Sequence, residues 1–362
     1  MTVFDDLLER LRDEARARVY VACTGAGAGL SRLLWSVPGA SSFLVGTSFP
    51  YATSAVDEFV GFPVEKYCSE STAIDLASAA FLHAGAGREA VGVGLAASVA
   101  SVRAHRSPHR IYAASVSHGG CRTYELELAR ESGRAARASD GDKADHLAFV
   151  ALLDAVELPS EAASSSVPGF TSTNADTLAL ERFHTHPLFR ADGTRQGVPQ
   201  EVELAFPGTF DPPHEGHHGM AATVAAVTGN KPVFWITAEP PHKAAVPLPE
   251  LLRRARLLRG HDALFTRGEP LYLDKARRYP GCGFVIGTDS LARMLDPKWG
   301  PAVDRLVDEF RILGTRFYVT SRVVDGKLVT LGDVPDAPRD LCIEVAGRWD
   351  VSSTELRRAN PA

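Results

Sequence analysis

Lysine is scarce in this 362-residue chain: seven of its 39 basic residues are Lys, so a lysine inside a motif carries extra weight. Cysteine pairs are missing. Cys23, Cys68, Cys121, Cys282 and Cys342 are scattered and form no CxxC, which argues against a disulfide framework or a zinc site and for a reducing, cytoplasmic setting. Long apolar runs are absent as well. The longest, Ala90 to Val102, is too short and too rich in glycine to span a membrane. The amino-terminal MTVFDDLLERLRDEARARV is charged throughout and has no signal-peptide core. No basic surplus exists: 39 Lys+Arg stand against 44 Asp+Glu, a net charge of −5. A general nucleic-acid binder is therefore not expected, and an anionic ligand has to be held by a local site. No GxxxxGK(S/T) phosphate loop occurs.

What is present is a globular composition, 45% hydrophobic and 23% charged, at a length that predicts two domains. Phe4, Leu7, Leu8 and Leu11 recur at helical spacing and predict an amphipathic first helix. Strand-like runs at Val19–Cys23, Phe43–Thr47, Ala90–Ala96 and Ile111–Ser117 alternate with helical patterns. Residues 159–200, rich in Ser, Thr, Pro and Gly at both ends, read as a linker with one short helix near Thr177–Phe183. The alternation restarts with strands Val202–Phe206 and Val233–Thr237, helices Gly219–Val227 and Pro249–Arg259, strands Phe284–Gly287 and Arg316–Val323, and a last helix near Ser353. Parallel α/β sheets are expected in both blocks. The expected domains are 1–158, a linker 159–200, and 201–362.

The strongest motif is GTFDPPHEGH, Gly208 to His217, placed between a strand and a helix. Gly208 and Thr209 let the backbone approach a phosphate at the strand's carboxyl end, and the following helix points its free N–H groups the same way. His214 and His217, three apart in the first turn, can face one way and suit an anionic phosphate better than a metal that needs three or four ligands. Taken alone, an HxxH would be a turn with two surface histidines. VSSTELRR, Val351 to Arg358, reads either as a capped helix or as a phosphate cradle of N–H groups, hydroxyls and Arg357. In PELLRRARLLRG, Arg253, Arg256 and Arg259 read as a solvated face without a role.

The ten-residue loop resembles the hallmark of the nucleotidyltransferase superfamily, with its Rossmann-like parallel sheet of the HxGH type. AEPPHK (Ala238 to Lys243), FVIGTDSLARMLDPKW (Phe284 to Trp299) and the SST–Arg motif are similar to segments of bacterial nicotinate-mononucleotide adenylyltransferases. The resemblance implies in-line attack of an acceptor phosphate on the α-phosphorus of ATP, with Mg²⁺ accompanying the ATP. It implies catalytic roles for His214, His217, Lys243 and Arg357. It implies nucleotide binding by Gly208, Thr209, Phe210, Gly216, Gly287, Asp289, Trp299, Ser352, Ser353 and Thr354, with Trp299 stacking on the pyridine ring. No metal ligands are assigned to the protein. The SYTx(D/E)T stretch of that family is replaced here by GEPLYLDKARRYPG, which leaves the acceptor open between nicotinate mononucleotide, nicotinamide mononucleotide and another phosphorylated metabolite. A cytidylyl donor and a non-catalytic nucleotide sensor are the alternatives.

The first block, over roughly residues 5–157 and most visibly from VYVACTGAGAG to Gly61, resembles the CinA carboxyl-terminal family, many of whose members deamidate nicotinamide mononucleotide. It is expected to share that α/β fold without the chemistry. The family's nucleophilic Ser falls on Ala22, its preceding Glu on Val21 and its Lys on Val56. Cys23 and Thr24 are one and two residues out of place. The glycine sets Gly25–Gly27–Gly29 and Gly92–x–Gly94 are weak dinucleotide patterns. The expected whole is a cytoplasmic homo-oligomer acting on small nucleotides, with neither nucleic acid nor membrane as partner.

Overall fold

The computed structural model describes residues 3–102, 108–240, 244–299, 301–324 and 327–349. These fall into two compact units, residues 1–185 with 247–256, and residues 186–246 with 257–362.

The first unit runs α1 (Val3–Asp13), β1 (Arg18–Thr24), α2 (Ala28–Trp35), β2 (Leu44–Ser48), α3 (Thr53–Val60), α4 (Glu70–His83), β3 (Ala90–Ser98), β4 (His109–Ser117), β5 (Gly120–Leu128), α5 (Arg134–Ala155), α6 (Glu161–Ser164), β6 (Thr171–Asn174) and α7 (Asp176–Thr185). Its sheet has the order β2-β1-β3-β4-β5-β6. Only β2-β1-β3 is parallel; β3 to β6 are antiparallel neighbours, which corrects the expected all-parallel sheet. The physical reason is the turn His118–Gly119. Ser117 pairs with Gly120, and a two-residue connection can join only antiparallel strands.

On one face of this sheet Val19, Val21, Val93 and Leu95 pack with α5 through Leu147, Val150 and Ala151, and with Leu7, Leu8 and Leu11 of the amphipathic first helix. Each large aliphatic side chain buried this way contributes about 1.5–3 kcal/mol. On the other face α4 lies against β3 at very short range. A Cβ on Gly92 would sit 2.1 Å from the Ala77 carbonyl, and one on Gly94 2.2 Å from that of Ala73. These glycines therefore serve helix–strand contact inside a strand, not a dinucleotide loop.

The second unit contains β7 (Leu188–Phe189), β8 (Arg195–Gln196), β9 (Leu204–Pro207), α8 (Glu215–Thr228), β10 (Val233–Thr237), β11 (Ala263–Thr266), α10 (Tyr272–Arg278), β12 (Gly283–Gly287), α11 (Thr288–Leu295), α12 (Val303–Ile312), β13 (Arg316–Val324), β14 (Lys327–Val329) and β15 (Cys342–Arg348). Helix α9 (Leu248–Leu257) follows β10 in sequence, but residues 247–256 group with the first unit. The sheet order is β14-β13-β12-β9-β10-β11-β7-β8, with β15 on β13. Strands β9 to β13 and β15 are parallel neighbours, while β7, β8 and β14 add antiparallel edges. The chain winds β9, β10, β11 one way and then returns to place β12 and β13 on the other side of β9. That reversal opens a crevice at the carboxyl ends of β9 and β12, where open α/β sheets bind ligands.

Residues 159–200 are built into the units more than their composition suggests. The expected short helix is α7, held by a buried pair in which Arg182 donates to Asp75 at 2.6 Å. Strand β6 completes the first sheet and β7–β8 the edge of the second. The arginines of α9 also differ from a plain solvated face: Arg253 and Arg254 pair with Glu250, and Arg256 donates to the Leu82 carbonyl at 2.9 Å. No helix among the described residues is long and apolar enough to cross a membrane.

Candidate functional site

At the carboxyl end of β9 the chain turns through Gly208 and Thr209, both exposed, into Phe210. Phe210 has φ +48°, a left-handed conformation that is unfavourable for a bulky residue. It is held there by its ring, buried among Phe206, Phe234 and His217 at centroid distances of 5.2, 4.8 and 4.9 Å. The loop that precedes α8 is therefore anchored from below by an aromatic cluster.

His214 is the N-cap of α8, and His217 stands at its third position. The His214 N–H donates to His217 Nδ1 at 3.2 Å, so the neutral His217 ring carries its proton on Nε2. The two imidazoles stack with centroids 3.7 Å apart. His214 Nδ1 is buried without a hydrogen-bond partner among the described residues. Burial, followed by the charges of Arg322 and His218, pushes the His214 pKa down to about 4. Burial, then His214, Arg322 and His218, pushes that of His217 down to about 3. At neutral pH both rings are uncharged, so they act as hydrogen-bonding groups beside the helix terminus and not as cations.

Two further groups shape this end of the helix. A Cβ on Gly219 would lie 2.1 Å from Trp349 Cη2, so the indole rests directly on the first turns of α8. Arg322, near the carboxyl end of β13, donates to the Trp349 carbonyl at 3.1 Å and lies 3.7 Å from Asp289 Oδ1. Its positive charge acts on both histidines.

His214, His217, Arg322 and Asp289 line one cavity of about 960 Å³. Gly208, Thr209, Phe210, His214 and His217 form one side, and Gly287 and Asp289, at the β12–α11 junction, another. Gly216 lies off the wall, packed under His214 and Trp349, where a Cβ would be 3.0 Å from the imidazole. Lys243, Ser352, Ser353, Thr354 and Arg357 lie outside the described residues, as does the side chain of Trp299. Among the described residues no group of three or more His, Cys, Asp or Glu side chains could hold a metal ion.

Sequence reasoning missed several wall residues. Arg322 carried a signal, a charge inside the apolar strand run FYVTSRVV. Lys275 carries another, since lysine is rare in this chain. Arg293, on α11, also lines the cavity.

Residues 205–359 match the cytidylyltransferase-like family. The carboxyl-terminal part of the chain is a cytidylyltransferase-like domain. The match covers β9, the HxGH loop and the β12–α11 junction, and supports nucleotidyl transfer in general as the chemistry of this domain. No curated protein matches the chain. Among solved structures, CinA superfamily proteins align with part of it. The one from Escherichia coli does so at 16% identity, over 41% of this chain and 86% of its own, with a TM-score of 0.34. That from Enterobacter cloacae aligns at 18%, over 42% and 88%, with 0.33. A competence/damage-inducible protein from Agrobacterium tumefaciens aligns at 17%, over 42% and 99%, with 0.32.

In the first unit Ala22 and Cys23 are fully buried in β1, and Val56 is buried in α3. Burial, with Asp145 nearby, pushes the Cys23 thiol far above its ordinary pKa. Neither Ala22 nor Cys23 offers an activated nucleophile.

Proposed function

We propose that the cytidylyltransferase-like domain transfers AMP from ATP to a phosphorylated acceptor, nicotinate or nicotinamide mononucleotide, releasing pyrophosphate. The observation that carries this reading is the neutral, stacked His214–His217 pair at the amino end of α8, facing Arg322 across one cavity. A polyanion entering there meets backbone N–H groups, the His217 Nε2–H and a guanidinium, all fixed before it arrives. An acceptor phosphate oxygen would attack the α-phosphorus in line. The protein's share is orientation and stabilisation of charge on the bridging and non-bridging oxygens. By the resemblance, Lys243 and Arg357 would hold the departing pyrophosphate. The choice of ATP over CTP rests on VSSTELRR, which lacks the ending typical of cytidylyltransferases.

Mg²⁺ would enter on the triphosphate. Phosphate oxygens and water would supply most of its ligands. The first unit, with Ala22 in place of a nucleophile, is assigned to ligand binding or self-association and not to amide hydrolysis. Ammonia release from nicotinamide mononucleotide by the unmodified protein would overturn that assignment. A cytoplasmic setting belongs to the same proposal and rests on five free cysteines.

The test is pyrophosphate release from ATP and Mg²⁺ with a panel of phosphorylated acceptors. Release with the pyridine mononucleotides supports the reading. Release only with an unrelated acceptor, or with none, refutes it.

A further inference from the structure

Lys275, in the stretch GEPLYLDKARRYPG, is the most buried cation on the cavity wall, 3% exposed. It projects from α10 toward the carboxyl end of β10. Its Nζ donates to Thr237 Oγ1 at 3.0 Å and to the Glu269 carbonyl, and lies 5.2 Å from the centre of the Trp235 ring. An ammonium has three N–H bonds. Two are used, and the third has no acceptor among the described residues.

Both acceptors are uncharged. The carboxylates that face Lys275, Glu269 and Asp274, form no ion pair with it and act only at longer range. Burial outweighs them and lowers the Lys275 pKa to about 8. The β10 groups packed against it, Trp235 and Thr237, carry no charge. The cavity wall thus holds a buried ammonium that no ion pair neutralises, an arrangement that is costly until an anion arrives. Its position separates it from Arg322, while the histidine loop that follows β9 is one strand away. Lys275 stands over β10, Arg322 rises from β13, and the strand order β13-β12-β9-β10 places three inter-strand steps between them, about 14 Å at the usual spacing.

We propose that Lys275 is a specificity-determining residue that recognises an anionic substituent on the acceptor other than the reacting phosphate. Resting on the adenylyl-transfer reading above, this makes the acceptor the carboxylate-bearing nicotinate mononucleotide and not its carboxamide counterpart. The carboxylate accepts the third N–H bond of Lys275 and neutralises its charge. The carboxamide presents no charge and leaves the ammonium uncompensated.

The experiment is calorimetric binding of nicotinate and nicotinamide mononucleotides to the full chain without ATP, followed by turnover with ATP and Mg²⁺. Wild type should bind the acid roughly 10- to 100-fold more tightly, the range for a hydrogen bond between charged groups. Lys275→Met should bring the two affinities within a few-fold of each other, chiefly by weakening binding of the acid. Lys275→Arg should keep part of the preference. In wild type, which needs no variant to fold, the preference should hold below pH 8 and fall as pH rises above it, because only protonated Lys275 pairs with the carboxylate. Equal binding of the two, tighter binding of the amide, binding of neither, or an unchanged ratio in Lys275→Met would overturn the role of Lys275. A Lys275-dependent preference without pyrophosphate release would uphold that role and refute adenylyl transfer.

Discussion

His217 joins two jobs in one ring, and substitutions that imitate either nitrogen should separate them. Its Nδ1 accepts the His214 N–H at 3.2 Å, which closes the first turn of α8, while its Nε2–H remains for the substrate. Asn places an oxygen near the site of Nδ1 and keeps the cap, but it has no group at the site of Nε2. Gln reaches the Nε2 position with an N–H and gives up the cap. Ala loses both. Removing a helix cap costs about 1 kcal/mol. Losing the edge contacts of the ring with Phe210 and Phe206, at centroid distances of 4.9 and 5.9 Å, adds roughly 0.5–1.5 kcal/mol each. Ala should therefore lose about 2–4 kcal/mol of stability. Removing one donor to developing charge costs roughly 10²–10³ in kcat. His217→Asn should show that loss of kcat with the cap intact, whereas His217→Gln should stay within about tenfold of wild type. Steady-state pyrophosphate release paired with denaturant unfolding reads both quantities on the same preparations. A folded His217→Asn protein with near-wild-type kcat would refute the assignment of the Nε2–H to the reacting phosphates.

Because His214 and His217 titrate near 4 and 3, kcat/KM at saturating Mg²⁺ should show no inflection near pH 6.5, and a limb there would mean that one ring works as a cation. The same shifts set a stability trend. Unfolded histidines take up protons below about pH 6.5 and the folded ones do not, so stability should be full above that pH and fall as pH drops toward 4. Denaturant midpoints at pH 7 and 5 measure the trend, and His217→Asn should reduce it. Gly94→Ala would drive a Cβ into the backbone of α4, 2.2 Å from the Ala73 carbonyl. A cost of about 3 kcal/mol and a Tm lower by roughly 6–12 °C are expected by calorimetry, and an unchanged Tm would contradict the packing. Asp75→Ala leaves Arg182 without the carboxylate it meets at 2.6 Å. A loss of about 3 kcal/mol in chemical unfolding would support the inclusion of α7 in the first unit, and no loss would contradict it.

The elements that sequence read well were those whose signal is local. GTFDPPHEGH sits between β9 and α8 as expected, because a strand's carboxyl end, a tight turn and a helix start leave their marks within ten residues. The leucines of α1 declared their buried face through helical spacing. The antiparallel half of the first sheet was less legible, since GCRTYELEL carries three charged residues and reads as surface until its partner β4 is known. The anchors in 159–200 escaped for a related reason: Arg182 acquires its meaning from Asp75, 107 residues away. At the site, the charge state of the histidines was the main surprise. Spacing placed them side by side, but their burial and the approach of Arg322, from a strand more than a hundred residues later, made them neutral.

The most direct test of the central claim follows the α-phosphorus itself. ATP carrying ¹⁸O on the non-bridging α-phosphate oxygens is turned over with nicotinate mononucleotide, and the products are weighed by mass spectrometry. Adenylyl transfer at this cavity predicts that the label appears in a dinucleotide and the pyrophosphate is unlabelled. Labelled nucleotide left as AMP or ADP, with no dinucleotide, would contradict the account.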